Sequence, residues 1–109
     1  MIGEGIPFQT IDWSSIPEER HSGETGFATW RTLQAGSARL RVVEYSADYR
    51  ADHWCSRGHV LFVLDGELHT EVEGGGTHIL YAGMSYVVSN GVSSHRSFSP
   101  GGARLFIVD

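Results

Sequence analysis

The chain has no lysine: all eight of its cations are arginines. That absence excludes any mechanism that runs through a lysine Schiff base. Cysteine is nearly absent too. A single residue, Cys55, cannot form an internal disulfide, so the expected setting is a reducing cytoplasm. No apolar stretch approaches the length of a membrane span, and residues 1–15 show neither a basic n-region nor a long apolar h-region. There is no Lys/Arg-rich run to anchor the chain on a membrane surface. There is no basic stripe for nucleic acid either, and the formal net charge is -5. Neither a nucleic acid nor a membrane is an expected partner.

Proline is scarce, at 3, whereas glycine is abundant, at 14. That balance favours short strands joined by tight turns over long helices. The 109 residues, 40% hydrophobic and 19% charged, suit one small globular domain with a single core. No segment has a convincing helical period, and no repeat or low-complexity segment is present.

Residues 1–26 are the least regular. Phe8–Trp13 reads as a short edge strand, 14–20 as a turn and 21–26 as a loop. From Phe27 the pattern is strand after strand: 27–33, 40–45, 60–64, 67–73, 77–81, 85–88, 92–98 and 104–108. The apolar run Val60–Leu64 reads as a buried strand. Asp65-Gly66 reads as the turn of a hairpin between 60–64 and 67–73. Strands at this spacing imply an all-β sandwich or barrel. The division expected is an N-terminal arm and edge strand over 1–26 and a barrel over 27–109.

The chemistry concentrates in Asp52-His53-Trp54-Cys55-Ser56-Arg57-Gly58-His59. In an extended strand alternate side chains share a face, so His53, Cys55 and His59 have common parity. Further on, the segment Gly83–Gly91 leads to His95. Three histidines and a thiol are thus available to one small barrel. His69 shares parity with three glutamates and is expected to face water, His78 is ambiguous, and His21 falls in a loop. Trp54 has the opposite parity to the ligand set and reads as packing. Tyr86 and Phe62 are core residues first and substrate-pocket candidates second. Asp52 and Arg57 could orient the site from behind its ligands, or be solvated loop charges.

These residues resemble the two motifs of the cupins, whose fold is a double-stranded β-helix, a small jelly-roll barrel. The first cupin motif has two histidines one residue apart, a glutamate, then six residues and a glycine. His53 and Cys55 stand at the two histidine places, His59 at the glutamate and Gly66 at the glycine. Gly83 and His95 fit the ends of the second motif, although His95 arrives one residue late and Ser89 replaces a proline. The string Asp52-His53-Trp54-Cys55 is similar to the signature of a cupin subgroup named for those four residue types (DHCW).

The resemblance implies an RmlC-like, metal-binding single-domain cupin with His53, Cys55, His59 and His95 as ligands. Its metal would be a divalent transition ion. A thiolate is softer than the usual carboxylate and moves the preference toward zinc, with iron, nickel, manganese or copper as alternatives. The function implied is binding or conversion of a small molecule in the barrel, as in a dioxygenase or an isomerase. The alternative is a non-catalytic small-molecule or metal-binding module with a closed, structural zinc site. A third reading is a metal-free barrel with a redox-sensitive Cys55. A homodimer is expected, with the segment around Phe8–Trp13 crossing to the second copy.

Overall fold

A computed structural model describes residues 3–109. Among these there is no α-helix, only a 3-10 turn at Trp13–Ser15 and nine strands. The strands are β1 (Glu19–Ser22), β2 (Phe27–Ala35), β3 (Ala38–Tyr45), β4 (Tyr49–Arg50), β5 (His59–Val72), β6 (Gly76–Tyr81), β7 (Ser85–Val88), β8 (His95–Ser99) and β9 (Ala103–Val108). All pair antiparallel, in the order β1-β2-β3-β9-β5-β8-β4, with β6 and β7 also on β5. The all-β jelly-roll expectation holds.

Strand β5 organises the molecule. Its first part pairs with β7 and β9, and its last part with β6 and β8. One strand therefore passes from one face of the barrel to the other. Asp65-Gly66 makes that passage without reversing the chain. The pairing with β9 skips one residue between Val63 and Asp65, a β-bulge. Gly66 sits at a φ of 84°, where a side chain is strained. A Cβ there would also collide with the carbonyl oxygen of Gly102. The hairpin expected at this dipeptide is a correction: both features answer a demand for a left-handed glycine, and here strand partners on both sides carry the chain straight on.

The bulge also changes which residues face inward. Before it His59, Leu61 and Val63 are buried, and after it Leu68 and Thr70. A one-residue insertion in a period-2 element moves the buried set from odd to even numbers. The core is built from Leu61, Val63 and Leu68 with Val43, Leu80, Leu105 and Ile107. At about 25 cal/mol per Å² of buried apolar surface, each large side chain among them contributes about 2–3 kcal/mol.

Other expectations are corrected. Phe8–Trp13 forms no strand, and the edge strand is β1, which pairs with β2 through residues expected in a turn and a loop. A lone apolar alternation forms a strand only where a neighbour offers free backbone groups, and the 3-10 turn capped by Asp12 takes its end instead. His21 stacks on Trp30 at 4.1 Å. The run Val60–Leu64 is buried only on alternate positions: Val60, Phe62 and Leu64 are exposed on the outer face. Phe62 is thus not a core residue. His69 keeps the outward parity expected of it but is half-buried, because its pairing partner Phe98 on β8 lies edge-on against the ring.

Candidate metal and ligand site

His59 opens β5 and His95 opens β8, so both imidazoles project into the barrel mouth. They are 9% and 4% exposed. Their Nε2 atoms lie 3.1 Å apart. The Tyr86 hydroxyl, on β7, is 2.9 Å from His59 Nε2. Three strands thus converge on one point.

The far nitrogens set the tautomers. His95 Nδ1 is 3.0 Å from the Ser93 carbonyl oxygen, which can only accept, so that nitrogen carries the proton and Nε2 presents a lone pair. His59 Nδ1 has no hydrogen-bond partner and faces Asp109 Oδ2 at 3.6 Å. A proton on Nδ1 is favoured there by the carboxylate, which leaves a second lone pair on Nε2 pointing at the first. Tyr86 donates to it. Burial lowers the His59 pKa to about 4, helped by His95 and Arg41 and opposed by Asp109. His59 is therefore neutral at pH 7, as a ligand must be.

The spacing of the two rings bears on a divalent metal. Two nitrogens each about 2.1 Å from one ion are about 3.0 Å apart at a right angle and about 3.4 Å apart at the tetrahedral angle. The observed separation falls in that interval, and it is equally the length of a hydrogen bond between the two rings when no ion lies between them. The pair fits as adjacent ligands of one ion.

The rest of the expected set is placed differently. Cys55 forms a two-bond bridge with His95 through the backbone, N to O distances 2.8 and 2.9 Å, and its half-buried side chain lines the same cavity. Residues 51–54 are not an extended strand, so the assumed parity does not apply. The His53 side chain is 75% exposed and its Nδ1 is 2.7 Å from Asp52 Oδ1. Among the described residues, no three His, Cys, Asp or Glu side chains are gathered as a metal-holding group. Trp54 is exposed, with the Arg96 guanidinium 4.7 Å from its ring, so it is not core packing. Arg57 is exposed and lines the cavity. Phe62 lies on the outer face of β5, away from it.

The cavity has a volume of about 430 Å³, within the range of small-molecule sites. Trp30, Tyr45 and Tyr49 give it aromatic walls, and Tyr45 stacks on Tyr49 at 4.2 Å. Burial raises the pKa of Tyr45, Tyr49 and Tyr86, so all three keep their protons. A second cavity of about 240 Å³, more apolar, lies against His95 and Tyr86 and includes Thr70 and Leu80.

Two groups supporting the site were not anticipated. Asp109 binds Arg39 through both carboxylate oxygens, at 2.8 and 3.0 Å, and Arg41 at 2.9 Å. Burial alone would raise the Asp109 pKa, but the hydrogen bond from Arg39 and the charges of Arg41, Arg39 and Arg57 hold it below the usual value. Arg41 is itself buried, 5% exposed, and its guanidinium lies 4.5 Å from the Trp30 ring. The signal was parity. Arg41 alternates with the buried Val43, and Asp109 with Leu105 and Ile107. Charges at inward positions of two paired strands mark a built site.

The sequence matches no family model and none of the curated proteins. Solved structures do match. A predicted oxalate decarboxylase from Thermotoga maritima superposes with a TM-score of 0.79 at 18% identity, over 92% of this chain and 96% of the other. A sugar phosphate isomerase of the cupin superfamily from Silicibacter pomeroyi gives 0.71 at 16% identity, over 92% and 74%. Fe(II)-HppE with the alternative substrate (S)-1-HPP gives 0.74 at 20% identity, over 96% and 60%. The fold is that of the cupins. At these identities the likeness concerns the fold alone. No helix among the described residues is long and apolar enough to cross a membrane.

Proposed function

We propose that this cupin barrel binds a divalent transition metal and, beside it, binds or converts a small molecule. The observation that carries the reading is the buried pair His59–His95, with Nε2 atoms 3.1 Å apart, His95 Nδ1 hydrogen-bonded to the Ser93 carbonyl and His59 Nδ1 facing Asp109. Cys55 is proposed as the third ligand. His53 would become the fourth by turning away from Asp52, with Asp52 following as its orienting carboxylate. Zinc is the first choice, because thiolate and imidazole suit it; iron, nickel, manganese and copper are the alternatives. A bound ion would supply Lewis acidity or, if redox-active, oxygen chemistry. The protein's own part is defined by its residues. The Ser93 carbonyl fixes the His95 imidazole, Asp109 faces that of His59, protonated Tyr86 can donate to an oxygen beside His59, and aromatic walls flank the ligand space. Dioxygenase and isomerase chemistry are both open to such a site.

A second reading has its own support. The direct Cys55–His95 bridge suits a closed four-ligand zinc site that staples the loop 51–58 to β8. Elemental analysis of untagged protein, with cobalt substitution, separates the readings. One equivalent of metal in the wild type, lost in His59→Ala and His95→Ala, supports the site. No metal after reconstitution under reducing conditions refutes it. Intense tetrahedral cobalt bands with a thiolate charge-transfer band would mark the closed site. Weak octahedral bands that respond to added small molecules would mark the open one.

The exposed row Val60, Phe62 and Leu64 on β5, with Val87 on β7, is proposed as the face of a homodimer, in place of residues 8–13. A reducing, cytoplasmic compartment would keep Cys55 free for a metal.

A further inference from the structure

We propose that the ligand of the aromatic-walled cavity is a small carboxylic acid, held by Arg41 and Arg57; this rests on the small-molecule reading above and names its substrate class. Although the chain carries a net charge of -5, four of its eight arginines, Arg39, Arg41, Arg57 and Arg96, line this one cavity, and no carboxylate lines it. Nearby carboxylates compensate only part of that charge. Glu71 takes Arg96 at 2.7 Å, and Asp52 at the rim is occupied by His53. Arg39 and Arg41 share the single carboxylate of Asp109. Arg57 has no carboxylate partner within ion-pair distance among the described residues.

Arg41 is the decisive group. A guanidinium taken out of water needs its donors satisfied. Arg41 is 5% exposed, yet Asp109 engages only Nη2, and Nε has no partner. A second carboxylate, brought by the ligand, would supply the missing acceptor and the missing negative charge. Trp30, Tyr45 and Tyr49 leave room for an apolar body, so an acid with a short hydrocarbon or aromatic portion is the best fit. The more apolar cavity beside Thr70 and Leu80 has no arginine. A carboxylate is favoured over a phosphate, because the acceptor site already satisfied in the same cluster is a flat two-oxygen group, Asp109.

The test uses metal-free protein, so that failure of the metal reading cannot masquerade as failure of this one. Oxalate, malonate, succinate and benzoate are titrated by calorimetry and by chemical-shift perturbation, with benzyl alcohol and inorganic phosphate alongside. At least one acid should bind at low ionic strength, and the Trp30 indole and Tyr86 signals should shift. Arg41→Gln should weaken that binding at least tenfold. Because Arg41 also packs, Arg57→Gln serves as the second variant; it is exposed, should fold normally, and should weaken binding severalfold with a smaller salt dependence. No acid bound at 10 mM overturns the proposal. So does benzyl alcohol binding as well as benzoate, phosphate binding better than every acid, or acid binding unchanged in both variants. Cobalt binding, read separately by its visible spectrum, reports on the metal site alone.

Discussion

Asp109→Asn removes one negative charge and changes almost no volume. It therefore isolates what the carboxylate does for the two arginines and for His59. The side chain is 2% exposed and accepts three hydrogen bonds from guanidinium groups, at 2.8, 2.9 and 3.0 Å. The two arginines will not suffer equally. Arg39 is about a quarter exposed and can turn partly to water, whereas Arg41 cannot. Removing one partner of a buried pair costs about 3–5 kcal/mol, most of it the penalty of the charge left behind. An asparagine retains one acceptor oxygen but turns an NH2 group toward a guanidinium. We expect a loss of about 2–4 kcal/mol at pH 7, against a total stability of about 5–15 kcal/mol for a domain of this kind. Urea unfolding of metal-free protein, with unchanged slope, measures it.

The pH dependence has a definite sign. The folded pKa of Asp109 is depressed, so its contribution is fully present above the unfolded value of 3.8. It is lost as the pH falls through the folded value, and wild type and variant should converge only in strong acid. The double variant Arg41→Met with Asp109→Asn should cost less than the sum of the two single changes, because no orphaned charge remains. A loss below about 1 kcal/mol in Asp109→Asn, or strict additivity in the double variant, would refute the account of Arg41 as a charge that depends on this carboxylate.

Other perturbations read other parts of the molecule. His59 has a folded pKa of about 4 against 6.5 unfolded, so between these values the unfolded chain binds the extra proton. Stability of the metal-free protein should therefore fall as the pH drops from about 6.5 to about 4. The size should be about 2 kcal/mol once screening by water in the adjoining cavity is allowed for. His59→Gln should flatten that slope in urea titrations at successive pH values. Gly66→Ala should cost about 2–3 kcal/mol, from positive φ and from contact with the Gly102 carbonyl, as read by the thermal midpoint. Leu105→Ala, at a fully buried position, should cost about 2–5 kcal/mol in urea unfolding. Phe62→Glu should leave the fold intact and give a 12.0 kDa monomer in sedimentation, where the proposed interface would make the wild type a dimer; a wild-type monomer at micromolar concentration would remove that interface.

The strand pattern was legible because it needs only composition and period. Glycine-punctuated alternation from Phe27 onward suffices for an all-β barrel, and seven of the nine strands overlap segments read from it. What a period cannot reveal is where the period breaks. Strand β5 looked like two strands because Asp65-Gly66 has the chemistry of a tight turn. The same left-handed glycine serves a bulge when β9 and β7 hold the preceding residues and β6 and β8 the following ones. That pairing is long-range, and no local rule contains it.

The parity argument for the site met the same limit, for the same reason. Parity arguments placed His53, Cys55 and His59 on one face by assuming that residues 53–59 are extended throughout. Only His59 lies in a strand; Cys55 is held by its own bridge to His95, and His53 sits in a bend with Asp52. Where the backbone truly alternates, parity worked, and it would have worked further. Arg41 lies on the buried side of β3 and Asp109 stands two residues beyond Ile107, on the buried side of β9. A charged residue at an inward position is costly unless another charge meets it. Two such residues on strands that pair with each other amount to a prediction of contact. Reading inward charges on regular strands, before counting ligand-type residues in irregular ones, would have found the Arg41–Asp109–His59 chain from the sequence and assigned its end to the buried imidazole.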